Sequence, residues 1–363
     1  MDKSTVLLLS KLHTESGNYG TALRLKSYIE TAGFICLLKD PKLLHVNDFP
    51  EFVQDHNVET IFALHAYHSG KILTDLPPNF CYVVILGGTD INELCHDSEK
   101  MKTMTKVIKN ARFIVGFSKT MIDTAKRLWD FINPNCFLEI PQAVATVPSD
   151  FSLSSYLETN CHLLSPADSL DVFLLVSGIR PVKDPLFLVE AFADWHCNHP
   201  TSLFVILGPC LDEAYCQEFL KKIKNLDGVV YIPGLKAMDT QACIKTSFAL
   251  VNSSLSEGMS ATILEAMQLC VPVIARDVQG NSNLIKDNRT GLLYKTPQEF
   301  IRKAEMLLGD KRFRSDLISR AQADVFAHHN VKQEEQAYIQ LLNTLHYRPP
   351  SSLITMDAEK RKE

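Results

Sequence analysis

A chain of 363 residues exceeds the ~250–300 at which a single hydrophobic core stops growing, so two lobes are expected. Apolar residues make up 46% and charged residues 22%, which excludes a disordered, collagenous or coiled-coil chain. Lys plus Arg is 37 against 42 for Asp plus Glu, a formal charge of −5, so there is no basic surplus to engage a phosphate backbone and nucleic acid is not expected as a partner.

The chain opens on a strand at residues 5–10. Val6-Leu7-Leu8-Leu9 has no helical period and fits a parallel strand buried on both faces. The run is too short for a secretory or membrane segment, and no other stretch reaches that length without charges. A cytoplasmic protein with no integral membrane segment is therefore expected. The small residues of Gly17-Asn18-Tyr19-Gly20 predict a turn, followed by a helix at 21–32 with Ala22, Leu25, Tyr28 and Ile29 on one face. Gly33 stops it. Strands are predicted at 34–38, 60–64, 82–86 and 113–117, separated by polar or helical stretches.

Ser, Pro, Asp and Thr then interrupt the pattern. Residues 1–150 read as one domain and 151–170 as a linker. The alternation resumes with a strand at 172–176, a helix at 186–195 and a strand at 203–207, and a further helix ends at 225. Strands at 229–232, 248–251 and 271–275 complete a second domain over 171–347. Pro349-Pro350 and a charge cluster mark 348–363 as a disordered tail. Strands alternating with helices imply parallel sheets, whose ligands lie off the carboxyl ends of the strands. Two such domains facing one another place the site in the cleft between them.

Ten cysteines form no C-x-x-C pair, and several sit in or beside apolar runs, so free thiols in a reducing compartment are expected. Twelve histidines include no H-E-x-x-H, and no metal site is expected.

The strongest chemical signal runs from Ser253 to Met267. It follows a predicted strand and enters a helix for which Ser260 is the N-cap. The amides of Gly258, Met259, Ser260 and Ala261, at the positive end of that helix, suit an anion or an oxygen-rich ligand. Glu257 and Glu265 can each accept two hydroxyl hydrogen bonds, as a vicinal diol offers, or they are solvated carboxylates on a surface helix. The loop Ser177-Gly178-Ile179-Arg180-Pro181-Val182-Lys183-Asp184 carries two cations. Arg180 can clamp a phosphate bidentately and Lys183 adds a point charge. Gly17-Asn18-Tyr19-Gly20 is not G-x-G-x-x-G, so a nicotinamide cofactor is not indicated and none is expected.

The E-x7-E spacing of Glu257 and Glu265, followed by Leu269-Cys270-Val271-Pro272-Val273-Ile274-Ala275 and by Asn288-Arg289-Thr290-Gly291-Leu292-Leu293-Tyr294, resembles the signature of retaining GT-B glycosyltransferases of the glycosyl transferases group 1 class. The resemblance is dense over about residues 170–345 and loose over 5–145. It implies an α/β GT-B fold, two Rossmann-like parallel-sheet domains facing across a cleft, with the acceptor side in the first. It further implies a nucleotide diphosphate sugar as donor and an unidentified hydroxyl acceptor. Glu265 would bind the ribose, Glu257 the donor sugar, and the amides of 258–261 would lie along sugar and phosphate. Lys183 and Arg180 would offset the charge of the leaving diphosphate in place of a metal. The family's arginine stands five positions before its lysine, where this chain has Gly178.

Gly17, Asn18 and Gly20 resemble the family's first glycine loop, facing the donor diphosphate. His65 and His68 lie where acceptor hydroxyls would bind. Many relatives carry a histidine just before Gly-Thr-Asp. Here that position is Gly87, followed by Gly88, Thr89 and Asp90, which leaves backbone assistance, Asp90 or lost activity. Two other functions compete: a nucleotide-sugar-binding scaffold without turnover, and a GT-B nucleotide-sugar epimerase.

Overall fold

The computed structural model describes residues 3–12, 17–77, 80–161 and 170–346. The expected tail at 348–363 and residues 162–169 of the expected linker lie outside them. Two six-stranded, wholly parallel sheets form the protein. The first contains β1 (Thr5–Leu9), β2 (Ile35–Lys39), β3 (Val58–Leu64), β4 (Tyr82–Ile85), β5 (Phe113–Gly116) and β6 (Phe137–Glu139), in the order β2-β1-β3-β4-β5-β6. The second contains β7 (Asp171–Val176), β8 (Ser202–Leu207), β9 (Val229–Ile232), β10 (Ala249–Asn252), β11 (Val273–Arg276) and β12 (Leu292–Tyr294), in the order β12-β11-β10-β7-β8-β9. Strand order reverses between β1 and β3 and again between β7 and β10. Such reversals open a crevice at the carboxyl ends of the strands.

Helices on both faces explain the unbroken apolar runs. Leu7 pairs in register with Leu37 on one side and Ile61 on the other, and all three strands of that contact face packed helices. In the second lobe the period of two sorts side chains between faces. Phe173 and Leu175 enter one core cluster, Val172 and Leu174 the other.

Lobe boundaries differ from those expected. Ile140 belongs to the first core and Val144 to the second, so the chain crosses at 141–143. The segment read as a linker contains a helix, Leu153–Cys161, whose Leu153 and Leu157 are buried in the second core. Its apolar spacing is masked by the serines and threonines around it. The chain also crosses back. The last helix, Val331–His346, packs on the helix Gly17–Thr31, with Tyr338, Leu341 and Leu342 inside the first core. Residues 331–346 are therefore part of the first lobe, not of the second domain expected at 171–347. An amphipathic helix announces that it will bury a face, not which sheet receives it.

Two further expectations are corrected. Gly17-Asn18-Tyr19-Gly20 is the first turn of a helix rather than a loop before one. Cys210 is disulfide-bonded to Cys216, whereas all ten thiols were expected free. Their α-carbons lie 5.9 Å apart across the start of the helix Glu213–Ile223. Among the described residues no helix is long and apolar enough to cross a membrane.

Candidate active site

The residues read as catalytic converge where β7 and β10 adjoin. The chain leaving β7 makes a tight turn, Pro181–Lys183, and the chain leaving β10 runs through Ser253 to Glu257. Ser253 Oγ donates to the Lys183 carbonyl at 2.9 Å, and the Leu255 amide donates to the Val182 carbonyl at 2.9 Å. These bonds stitch the two loops together and set Lys183 Nζ 2.5 Å from Glu257 Oε1. The Glu257 side chain is 9% exposed and also accepts from Asn252 Nδ2 at 3.1 Å and Ser254 Oγ at 2.7 Å. Burial opposes its ionisation, but the Lys183 charge and these three donors prevail and hold the carboxyl below its ordinary range. Glu257 is a preformed anion with its lone pairs directed by donors.

Glu265 sits in the helix Ala261–Gln268, on the far side of the loop. It accepts one bond, from Gln241 Nε2 at 3.0 Å, while Gln241 Oε1 accepts from the Val147 amide at 2.7 Å. Burial pushes the Glu265 carboxyl up, opposed by that bond and by the charge of Arg24 in the first lobe. Lone pairs thus remain open to hydroxyl donors. Ser260 occupies the N-cap position, but its hydroxyl is engaged with Thr262 Oγ1 at 3.1 Å rather than capping an amide.

Arg180 lies beyond β7 with its Nε buried and without a hydrogen-bond partner among the described residues, as is Ser177 Oγ. Lys11, just past β1 of the first lobe, feels the same field. Burial, then Lys42 and Arg180, pull its amine below the usual range. Sequence reasoning missed Lys11 because nothing local marks it. Only the fold brings the end of β1 opposite the end of β7.

Gly258 meets a different neighbour from the one expected. A β-carbon on Gly88 would stand 2.5 Å from the Gly258 nitrogen, and one on Gly258 would stand 2.3 Å from Gly88 Cα. The two lobes touch backbone to backbone here. Asn92 Nδ2 adds a bond of 3.3 Å to the Glu257 carbonyl. Behind the loop, a β-carbon on Gly280 would fall 2.1 Å from that same carbonyl oxygen. The loop bearing Glu257 is therefore clamped between Gly88 of one lobe and Gly280 of the other. Met259 packs against both cores. A β-carbon on Gly20, by contrast, would meet nothing within 4 Å.

On the acceptor side the expected residues come together, but as a packed cluster rather than an open pocket. Asp90 is fully buried, and its Oδ2 accepts from the amides of Ala66 at 2.9 Å and Gly87 at 3.0 Å. Burial pushes its carboxyl up to about 7. Asp90 ties two loops together and is not the cleft-facing acid that the sequence suggested. The site of a side chain at 87 is not open either. A β-carbon there would lie 3.2 Å from His65 Cδ2. His65 is itself buried, with φ 86°. Its Nδ1 accepts from the amides of Tyr67 and His68, each at 3.1 Å, which leaves Nε2 to donate to Thr89 Oγ1 at 2.8 Å. The His68 ring packs against it at a tilt of 45°, ring centroids 4.4 Å apart. Burial pushes both imidazoles down to about 3, so both are neutral. Among the described residues no group of three or more His, Cys, Asp or Glu side chains could hold a metal ion.

Residues 165–324 match the family described as Glycosyl transferases group 1. The chain is 38% identical over 341 residues to Glycosyltransferase 1 domain-containing protein 1 of Xenopus tropicalis, covering 94% of this chain and 98% of that protein. It is 22% identical over 251 residues to alpha-monoglucosyldiacylglycerol synthase of Acholeplasma laidlawii, covering 68% and 58%. Among solved structures, Anabaena Alr3699/HepE in complex with UDP-glucose superposes with a TM-score of 0.73 at 17% identity, covering 94% of this chain and 99% of that one. WaaG, a glycosyltransferase involved in lipopolysaccharide biosynthesis, does so with a TM-score of 0.71 at 12% identity, covering 95% and 100%.

Proposed function

We propose a function from the premise that the chain belongs to the glycosyl transferases group 1 family and is a glycosyltransferase of GT-B fold. It takes a nucleotide diphosphate sugar as donor and passes the sugar to a hydroxyl acceptor with retention of anomeric configuration. The observation that carries this reading is the Lys183–Glu257 contact at the β7/β10 reversal, with Arg180, whose buried Nε has no hydrogen-bond partner among the described residues, capping the same short turn. Before the donor arrives, Lys183 and Glu257 satisfy each other. On binding, the sugar hydroxyls take the Glu257 lone pairs and Lys183 turns to the diphosphate. Glu265 receives the ribose hydroxyls.

As the glycosidic bond breaks, charge grows on the leaving diphosphate. In this reading Arg180 and Lys183 offset it, the kind of preorganised stabilisation that lowers a barrier most. These cations serve in place of a metal. The nucleotide sugar named with the Anabaena protein makes UDP-glucose a first donor to try. The glycine at 87 does not argue for lost machinery, because His65 already holds that space.

The test is release of nucleoside diphosphate from UDP-, GDP- and ADP-sugars, with and without hydroxyl acceptors. Lys183→Ala is expected to lower kcat by roughly 10²–10³, and Glu257→Ala to abolish transfer. Chelation by EDTA should leave the rate unchanged. The anomeric coupling of the product, read by NMR, checks retention. Binding without release across all donors would instead identify a nucleotide-sugar-binding protein. Isomerised sugar without acceptor consumption would identify an epimerase.

A further inference from the structure

The turn that presents Lys183 ends in an unfavourable backbone. Asp184 has φ 42° and ψ 51°, in the left-handed region, directly before Pro185. A non-glycine residue persists there only when its surroundings hold it. Here the holder is Arg276, at the end of β11. Its Nη1 donates to Asp184 Oδ2 at 2.8 Å and to the Ser253 carbonyl at 3.2 Å. Its guanidinium lies 3.8 Å from the ring centroid of Phe187.

Asp184 and Phe187 stand at the two ends of the short turn after Lys183, so one side chain grips both. Through Ser253 it also grips the loop that leads to Glu257. Ser253 in turn donates to the Lys183 carbonyl. Arg276 thus joins the two loops whose separation sets the Lys183–Glu257 distance. Arginine suits the place because a planar fork can bond, bridge and stack at once, whereas an ammonium cannot.

We propose that Arg276, paired with Asp184, is a positioning residue for glycosyl transfer: it holds the turn after β7 so that Lys183 Nζ rests on Glu257 before the donor arrives and is within reach of the diphosphate when it does. This rests on the role of Lys183 proposed above.

Competitive acetylation of the full chain with acetic anhydride, mapped lysine by lysine by mass spectrometry, tests the positioning without any donor. Lys303, paired with Asp287 at 3.1 Å in the same lobe, is the internal control. R276Q and D184A should raise Lys183 acetylation roughly 2–5-fold, as expected when an ion pair is loosened. Lys303 should not change. D184G suits left-handed backbone but cannot pair with Arg276, so it separates strain from pairing and should behave as D184A does. It also keeps the test open if R276Q does not fold. Lys183 acetylation at the wild-type level in folded R276Q or D184G would overturn the proposal. In nucleoside diphosphate release, R276Q should lower kcat with little change in KM and add nothing in a K183A background. An equal effect in both backgrounds would also overturn it. If K183A itself releases nucleoside diphosphate at the wild-type rate, the role of Lys183 fails, while the acetylation pattern still decides whether Arg276 positions it.

Discussion

His65 concentrates several of the molecule's constraints in one side chain. Its backbone is left-handed, its Nδ1 is committed to two amides and its Nε2 to Thr89, and it is buried against Gly87. Protonation would turn the accepting Nδ1 into a donor facing two donors. Burial, then the Lys11 charge, push the imidazole down to about 3. A base whose folded pKa is depressed supports the fold above its unfolded pKa, near 6.5, and that support is lost as the pH falls toward 3. His65→Asn keeps an acceptor and tolerates the left-handed backbone. Urea unfolding at pH 7.5 and pH 5 is therefore expected to show about 2 kcal/mol less acid destabilisation in His65→Asn than in wild type. An equal loss in both proteins would assign the acid limb to other groups. The same packing revises the reading of Gly87. A β-carbon there would press on the His65 ring at 3.2 Å, so position 87 borders a packed imidazole rather than an open space, which no pattern in the sequence disclosed. The E-x7-E spacing was legible because it depends only on helix pitch and a loop. The pairing of His65 with Gly87 joins residues 22 apart through two strand ends, and local spacing does not encode it.

Among the elements, the strands were read well because burial on both faces leaves continuous apolar runs, as in Val6-Leu7-Leu8-Leu9. The short β6 and the helices Pro297–Gly309, Lys311–His328 and Val331–His346 were not identified, and the turn at 17–20 was placed outside the helix it begins. In those segments the pattern is weak or its partner lies far along the chain. The helix Gly88–Asn92 shows what the fold adds. Its first residue presses on Gly258, so closure of the lobes depends on two glycines with no side chains between them. In Gly88→Ala the new β-carbon would fall 2.5 Å from a backbone nitrogen of the other lobe, which cannot yield as a flexible side chain would. The lobes must part. Misplacing reacting groups by about 1 Å can cost ~10²-fold in rate, so Gly88→Ala should lose about 10–100-fold in turnover. Nucleotide affinity should change little, because Glu265 lies on the other side of the loop. Small-angle scattering should report a larger radius of gyration. Wild-type turnover in Gly88→Ala would show that this contact is dispensable.

At the scale of the whole molecule, two chain crossings hold the lobes together, and both pass Glu334. This residue is 3% exposed in the last helix. Its carboxylate accepts from Arg24 Nε at 2.9 Å, Arg24 Nη2 at 3.3 Å, Tyr28 Oη at 2.8 Å and the Ala143 amide at 3.0 Å. Arg24 and Tyr28 belong to the first helix, Ala143 to the outward crossing, and Glu334 to the segment that has just returned. Beside them the Val144 amide donates to the His329 carbonyl at 3.2 Å, and His329 Nδ1 lies 2.7 Å from the Gln142 carbonyl oxygen. One buried carboxylate thus fixes the angle at which both crossings leave the first lobe. It also neutralises Arg24, whose charge reaches Glu265 at the donor site. Glu334→Ala strands a partly buried guanidinium and a buried backbone amide, a change that in a fully buried pair typically costs about 3–5 kcal/mol. Replacing both partners, Arg24→Met with Glu334→Met, removes the desolvated charges together and should restore much of that loss. Urea unfolding of Arg24→Met, Glu334→Met and the double variant decides. The expected result is a double variant more stable than the sum of the singles predicts. A loss below about 1 kcal/mol in Glu334→Ala, the scale of an exposed pair, would show that the crossings are held by packing of Tyr338, Leu341 and Leu342 alone.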